Sequence, residues 1–379
     1  MPTLRALGLS AMRRGLIAQS RAELPDAVLD ARIARVRAAM DAAGLDALVL
    51  YTNNTRPAAV SWLTGFVPYW SEALLVLADD SLPLLVAALT YRVKSWIERT
   101  SRLADVLHTP RIGLEAARAI AARKADARVG IPDLDALPAG ICEDLRAGGP
   151  GLDVRDASTL FARLRVRADT AEIAFAARAS AIAARALAQP RGDCLAAMIA
   201  AADREARLLG AEEVYVAAAP DLARDQRLRR MEGNETPLGT TFALRATVAY
   251  RGTWIRLVRT FAPANRVDEA AHVLAAAAAR LPDAGGFAGF TSWLVEGCRI
   301  AQPLEPLAGT RVNARDPLVE HVLFAKPVST FAGHALPPGA LVSVQGRLKL
   351  DGRSVLVGAP ALIGAPGEAA SLLLHPSFD

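Results

Sequence analysis

The chain has 379 residues, 52% of them hydrophobic and 22% charged, with a formal net charge of +5. That length exceeds one ordinary core and calls for two or three domains, and the balance of apolar to charged residues is that of a globular protein. No run of about 18 strongly apolar residues occurs, which argues against a membrane span; the positive charge is nearly all arginine and is interspersed with acids, which argues against nucleic acid as a partner.

Residues 1–20 are Arg-rich and acid-poor, as a transit peptide is, but they lack the continuous apolar core and cleavage pattern of a secretory leader, and an amphipathic helix is the favoured reading. From Asp26 to Ala43 the apolar positions Val28, Leu29, Ile33, Val36 and Met40 recur at helical spacing, and Gly44 supplies a stop. Residues 45–51 form a short apolar run expected to be a buried strand, and SWLTGF (61–66) reads as a turn region. Residues 72–78 and 82–89 read as two strands of a hairpin turning at ADDS. Helices are expected near 92–100 and 116–127, and a strand at 127–132. Helices alternating with buried strands define an α/β domain.

LPAG and AGGPG, before residue 152, read as loops. A long Ala-rich helix follows from Asp169 to Ala188, capped by Asp169 or Thr170 with Glu172 in its first turn. A second helix spans roughly 193–209. Strands are then expected over 213–219, 240–250 and 253–261, the last two joined by a turn at Arg251-Gly252. A third helix at 267–280 leads into Gly-rich loops, and the chain ends in strands over 319–325, 340–350 and 354–364. This half reads as α+β with antiparallel pairs. Cys142, Cys194 and Cys298 stand far apart without CxxC spacing, so neither a disulfide scaffold nor a zinc knuckle is expected and a reducing cytoplasm is the default.

Three stretches share an order and a spacing. The first is Gly44–Leu50 with Asn54, Trp62–Phe66, Leu74–Leu77 and Pro83–Val86. The second is LRVRADTAEIAFAARASAIA (164–183), and the third is RATVAYRGTWIRLVRTF (245–261). Together they resemble the creatinase/prolidase/aminopeptidase P family. The resemblance implies a creatinase-like α/β domain over 1–158 and an α+β pita-bread domain over 159–379. It also implies a homodimer formed through the first domain, with Tyr69 and Trp70 near the partner's pocket.

The family's dinuclear metal site uses two Asp, one His and two Glu, a donor set suited to Mn, Co or Zn. The resemblance puts Arg245 and Arg256 at the two Asp positions, Gln345 at one Glu and the Gly358 region at the other. Lys326-Pro327 stands in the place of the Glu-Pro pair, which puts Leu318 at the His position; a shifted alignment would use His321. A guanidinium has no lone pair to give a metal and carries a permanent positive charge. No metal and no other cofactor is therefore expected.

Two readings follow. In the first, the protein is a metal-independent hydrolase or lyase acting on a small carboxylate-bearing, amino-acid-like or C–N bond substrate. Arg245, Arg256 and Arg259, with Gln345, Tyr69 and Trp70, would bind it, and Glu320 or His321 would move the proton. In the second, it is a non-catalytic relative that binds a small anion or an acidic peptide. In either reading Arg245 and Arg256 need an anionic neighbour, either a ligand or a protein carboxylate such as Glu232, Glu235 or Glu320. Asp221, Asp225 and Gln226 fall where the family has its substrate loop. His108 and His272 read as packing or surface residues.

Overall fold

The computed structural model describes residues 20–54, 56–68, 71–188, 192, 194–229, 236–262, 338–350, 352–365, 368 and 370–373, and the backbone of 290–297 and 309–312. The chain divides into two compact units, one within Arg13–Arg165 and the other from Val166 on. The division falls later than the expected 158/159 boundary. Residues 158–164 are helical, and Phe161 meets the Trp62 ring edge-on at 6.0 Å inside the first core.

In the first unit, α1 (Asp26–Ala43) ends where Gly44 turns left-handed at φ 64°, a conformation that costs glycine nothing. It is followed by β1 (Ala47–Asn53), α2 (Ala58–Thr64), β2 (Glu72–Ala78), β3 (Leu84–Ala87), α3 (Lys94–Thr100), β4 (Asp105–His108), α4 (Ile112–Ala121), β5 (Arg128–Ile131), α5 (Ala139–Gly148), β6 (Asp153–Asp156) and α6 (Ser158–Leu164). The expected SWLTGF turn is in fact the end of α2, stopped by Gly65 at φ 73°. One expectation of loop is also replaced by structure: α5 occupies the stretch between the Pro- and Gly-marked turns. The short strands β4 and β6 lie in stretches for which the sequence suggests no element, since they carry too few apolar residues to show a period.

The six strands form one mixed sheet in the order β4-β3-β2-β1-β5-β6. Alternate residues of β1 feed two cores: Leu48 and Leu50 pack with Val36, Met40, Trp62 and Phe66, while Ala47 and Val49 pack with Ile112, Ile120 and Ile141. Burial on both faces is why β1 reads as a continuous apolar run rather than an alternating one.

The second unit opens with α7 (Thr170–Ala186) and α8 (Leu195–Leu208), followed by β7 (Glu213–Ala219), β8 (Phe242–Tyr250), β9 (Thr253–Phe261), β10 (Phe290–Gly297), β11 (Gly309–Val312), β12 (Leu341–Leu350), β13 (Arg353–Leu362) and β14 (Ser371–Leu372). The described strands make an antiparallel sheet in the order β11-β10-β12-β13-β9-β8-β7, with β14 on β13. Asp169 caps α7 in a reciprocal box: its Oδ1 accepts from the Glu172 amide at 3.0 Å, and the Asp169 amide donates to Glu172 Oε2 at 3.2 Å.

One face of this sheet is covered by α7 and α8. Ala176, Ala179, Ile182 and Ala183 of α7 lie in the same core as Leu244, Ala246 and Val248 of β8, Ile255 and Leu257 of β9, and Val342, Val344 and Leu348 of β12. The strand period of two then sends the alternate residues of β8, β9, β12 and β13 to the opposite face. Among the described residues no helix is long and apolar enough to cross a membrane.

Candidate functional site

The face of the second sheet turned away from α7 and α8 holds most of the described positions singled out by sequence. Cross-strand register aligns them on one rung: Ala217 pairs with Arg245, Arg245 with Val258, Val258 with Gly358, and Gly358 with Gln345. The adjacent rung runs from Tyr215 to Thr247 and then to Arg256. Arg245 and Arg256 are both half-buried, and Gln345 is 9% exposed. Ser343, two residues before Gln345 on the same face, donates through Oγ to the Arg256 carbonyl at 3.4 Å. Tyr215 and Trp254 stack at 5.8 Å beside Arg256.

Arg259 is not brought together with the other two arginines. It stands three residues after Arg256, so the strand period turns it to the helix-covered face. There its Nη1 donates to the carbonyls of Leu187 and Ala188 at 3.4 and 3.5 Å. These carbonyls follow the last residue of α7 and lack partners within the helix. Arg259 thus serves the helix end, which corrects its expected place in a clamp with Arg245 and Arg256. Tyr69, Trp70, Glu320 and His321 lie outside the described residues, as do Glu232, Glu235, Leu318 and His272.

The same face carries a residue that sequence reasoning missed. Arg347 pairs with Leu356 and so joins Ser343 and Gln345 on the site side of β12. Burial pulls its guanidinium pKa below the usual value, and the nearby Asp225 carboxylate opposes that shift. The signal was present in VSVQGRLKL, where Ser343, Gln345, Arg347 and Lys349 alternate with Val342, Val344 and Leu348.

Asp225 belongs to the loop between β7 and β8, which lies on this face. Leu222 and Leu228 of the loop pack with Ala219, Ala243, Val258 and Leu356, and Gln226 Nε2 donates to Ser354 Oγ. Asp225 accepts from Arg227 at 2.9 and 3.0 Å and from Arg229 at 2.8 Å, and the Arg227 contacts hold its pKa down to about 2. The stretch expected to be a substrate loop is therefore anchored beside the arginines, with its apolar residues covering one end of the face.

These side chains do not fit a divalent metal. The described face offers guanidinium groups, an amide, hydroxyls and the Asp225 carboxylate, itself engaged by Arg227 and Arg229, and among the described residues no group of three or more His, Cys, Asp or Glu could hold an ion. Oxygen- and imidazole-rich sets are what such ions need. What the arrangement can do is attract an anion and bind planar carboxylate or phosphate groups.

An α/β unit followed by an antiparallel sheet with helices on one face is the architecture of the metal-dependent Xaa-Pro peptidases and their relatives. Residues 32–167 match the model of the Creatinase/Prolidase N-terminal domain. The X-Pro aminopeptidase of Thermotoga maritima is similar in structure at TM-score 0.63 and 12% identity, over 90% of this chain and 97% of that one. The dipeptidase PepE of Mycobacterium ulcerans follows at 0.61 and 18%, over 94% and 98%. The Xaa-Pro dipeptidase of Bacillus anthracis is at 0.61 and 14%, over 91% and 97%. Among curated proteins none matches this chain. Residues 32–167 therefore carry a Creatinase/Prolidase N-terminal domain, and the second unit shares the pita-bread fold of these peptidases.

Proposed function

We propose that this protein is a metal-independent relative of the Xaa-Pro peptidases that binds a small carboxylate-bearing molecule on the cationic face of its second sheet and cleaves a C–N bond in it. The observation that supports this most directly is the placement of Arg245 and Arg256 on neighbouring rungs of one sheet face. Two permanent positive charges there repel a divalent cation and favour a carboxylate. In this reading the arginines orient the substrate carboxylate and stabilise the negative charge that develops at the reacting centre. Water adds to the carbon as the C–N bond breaks, and Glu320 or His321 takes a proton from that water and passes one to the departing nitrogen. Gln345 adds an amide to the same face as a further contact for the substrate. The protein works as a homodimer in a reducing cytoplasm, in keeping with the free thiols of Cys142 and Cys194.

A second reading, a non-catalytic relative that only binds its ligand or an acidic peptide, is favoured by one feature. Leu222 and Leu228 pack onto Val258 and Leu356 and take up part of the face that a substrate would occupy.

Elemental analysis of the purified protein, with activity assays, tests the proposal. No stoichiometric Mn, Co, Zn or Fe is expected, nor cleavage of Xaa-Pro dipeptides when these metals are added. Turnover of a carboxylate-bearing amino-acid derivative should be unaffected by a chelator. About two transition-metal ions per chain, as in a two-metal site, or chelator-sensitive dipeptidase activity, would overturn it. Anion binding without turnover across such derivatives would favour the second reading.

A further inference from the structure

Gly358 lies at the centre of the rung that joins Arg245 to Gln345 and is paired with Val258 on one side and Gln345 on the other. Its backbone has no positive φ, so conformational freedom is not what this position needs. Space is. A Cβ placed here would stand 2.8 Å from Gln345 Cγ, 2.9 Å from the Val344 carbonyl oxygen and 3.0 Å from Val258 Cγ2. Side chains directly opposite each other in a sheet ordinarily keep their Cβ atoms about 4.5–5.5 Å apart. The Gln345 Cγ therefore leans towards β13 into the space over the bare Cα of Gly358, a space that Val258 Cγ2 faces from the other side. Beyond Val258 on the same rung is Arg245.

We infer that Gly358 is a positioning residue: by carrying no side chain it lets Gln345 lie across the sheet and close the anion site from the side opposite Arg245. The inference rests on the anion-binding reading of this face and deepens it. A guanidinium and a primary amide then approach the ligand along one line. The amide both donates and accepts, so the matching ligand carries a carboxylate and, a few atoms away, a neutral polar group such as an amide, urea or hydroxyl. A ligand that is anionic throughout uses only the arginine end.

The test is a two-by-two set of variants: wild type, Gln345→Ala, Gly358→Ala and the double variant. Calorimetric titration would use two probes, inorganic phosphate and the half-amide of a short dicarboxylic acid. The half-amide should bind wild type about ten-fold more tightly than it binds Gln345→Ala or Gly358→Ala, the scale of one good hydrogen bond to the ligand. The double variant should be no weaker than either single one, and phosphate affinity should stay nearly level across the set. A purely structural glycine would weaken both probes together. Unchanged half-amide binding in Gly358→Ala, or losses that add in the double variant, would overturn the inference.

If Gly358→Ala does not fold, because the Val344 carbonyl also crowds the new methyl group, Gln345→Asn decides: its amide, one methylene shorter, no longer reaches across Gly358, and it should bind the half-amide as weakly as Gln345→Ala does with phosphate affinity unchanged. Half-amide binding by Gln345→Asn equal to that of wild type would overturn the positioning role. If wild type binds neither probe, the anion-site reading itself has failed. Urea midpoints then judge the positioning role separately: Gln345→Ala must relieve the cost of Gly358→Ala, and equal costs in both backgrounds reject it.

Discussion

Arg245 and Arg256 are diagonal neighbours on one face of the β8–β9 hairpin: Arg245 pairs with Val258, and Arg256 pairs with Thr247. Diagonal positions lie about 7–8 Å apart, within reach of each other for long side chains. In the proposed reading, two guanidinium groups so placed hold an anion. Citrate or phosphate should therefore raise the melting temperature of the wild-type protein. At a hundred-fold excess over Kd the stabilisation is about 2.7 kcal/mol. Arg245→Ala and Arg256→Ala should each lose most of that shift. Loss of several kcal/mol of basal stability in Arg245→Ala, about 3–5 for a buried pair, with no citrate response in wild type, would assign these arginines to protein carboxylates instead.

Arg259 should behave in the opposite way. It lies on the helix-covered face, donates to the Leu187 and Ala188 carbonyls, and stacks its guanidinium over Phe261 at 5.7 Å. Arg259→Met keeps the aliphatic bulk and removes the donors. It should cost about 1 kcal/mol of stability, the ordinary net worth of such bonds, and leave the citrate shift intact. A citrate response lost with Arg259 would show that the two faces are not independent.

The capping box of α7 gives a third test. Asp169→Ala removes the acceptor for the Glu172 amide and should cost about 1 kcal/mol. Asp169→Asn, which keeps an acceptor, should recover most of it. Urea denaturation of the three proteins measures both. Equal stability of Ala and wild type would mean that the start of α7 is held by its packing alone.

What was legible in the sequence follows the length of each period. The run from Val28 to Met40, the Ala-rich α7 and the β8–β9 hairpin turning at Arg251-Gly252 extend over enough residues for spacing to declare the element, and they lie where expected. Shorter elements are legible only where they form a continuous apolar run, as β1, β2 and β7 do, whereas α2 reads as a turn and β4 and β6 give no signal. α5 was hidden because Pro138 and Gly149 at its ends read as loop markers, although Ile141 and Leu145 are spaced as on a helix face. At the site, strand parity carries the signal: Arg256 and Arg259 differ by an odd number and cannot share a face, whereas Arg347 shares the parity of Gln345. The closeness of Gln345 to Gly358 was out of reach, because sequence shows neither which strands are neighbours nor in what register.

The last prediction concerns acid stability of the first unit. Asp46 ties the start of β1 to β5. Its Oδ2 accepts from the Arg128 amide at 2.8 Å, and its Oδ1 faces Lys124 Nζ at 2.9 Å. The Arg128 amide first, and Lys124 second, lower its pKa from 3.8 to about 2. A carboxyl whose folded pKa lies below its unfolded value binds fewer protons when folded. Its contribution is therefore complete above about pH 4 and is lost as the pH falls through the folded value. Asp46→Asn keeps an acceptor for the Arg128 amide but not the charge. Its urea midpoint should lie below that of wild type at neutral pH, and the gap should narrow steadily as the pH is taken from 5 towards 2. The lysine partner is exposed and its share is screened by salt, so part of the neutral-pH gap should close in 0.5 M NaCl while the part due to the backbone amide remains. A gap that is constant with pH, or that widens in acid, would mean that Asp46 titrates as an ordinary surface carboxylate and that the β1–β5 junction is held without its charge.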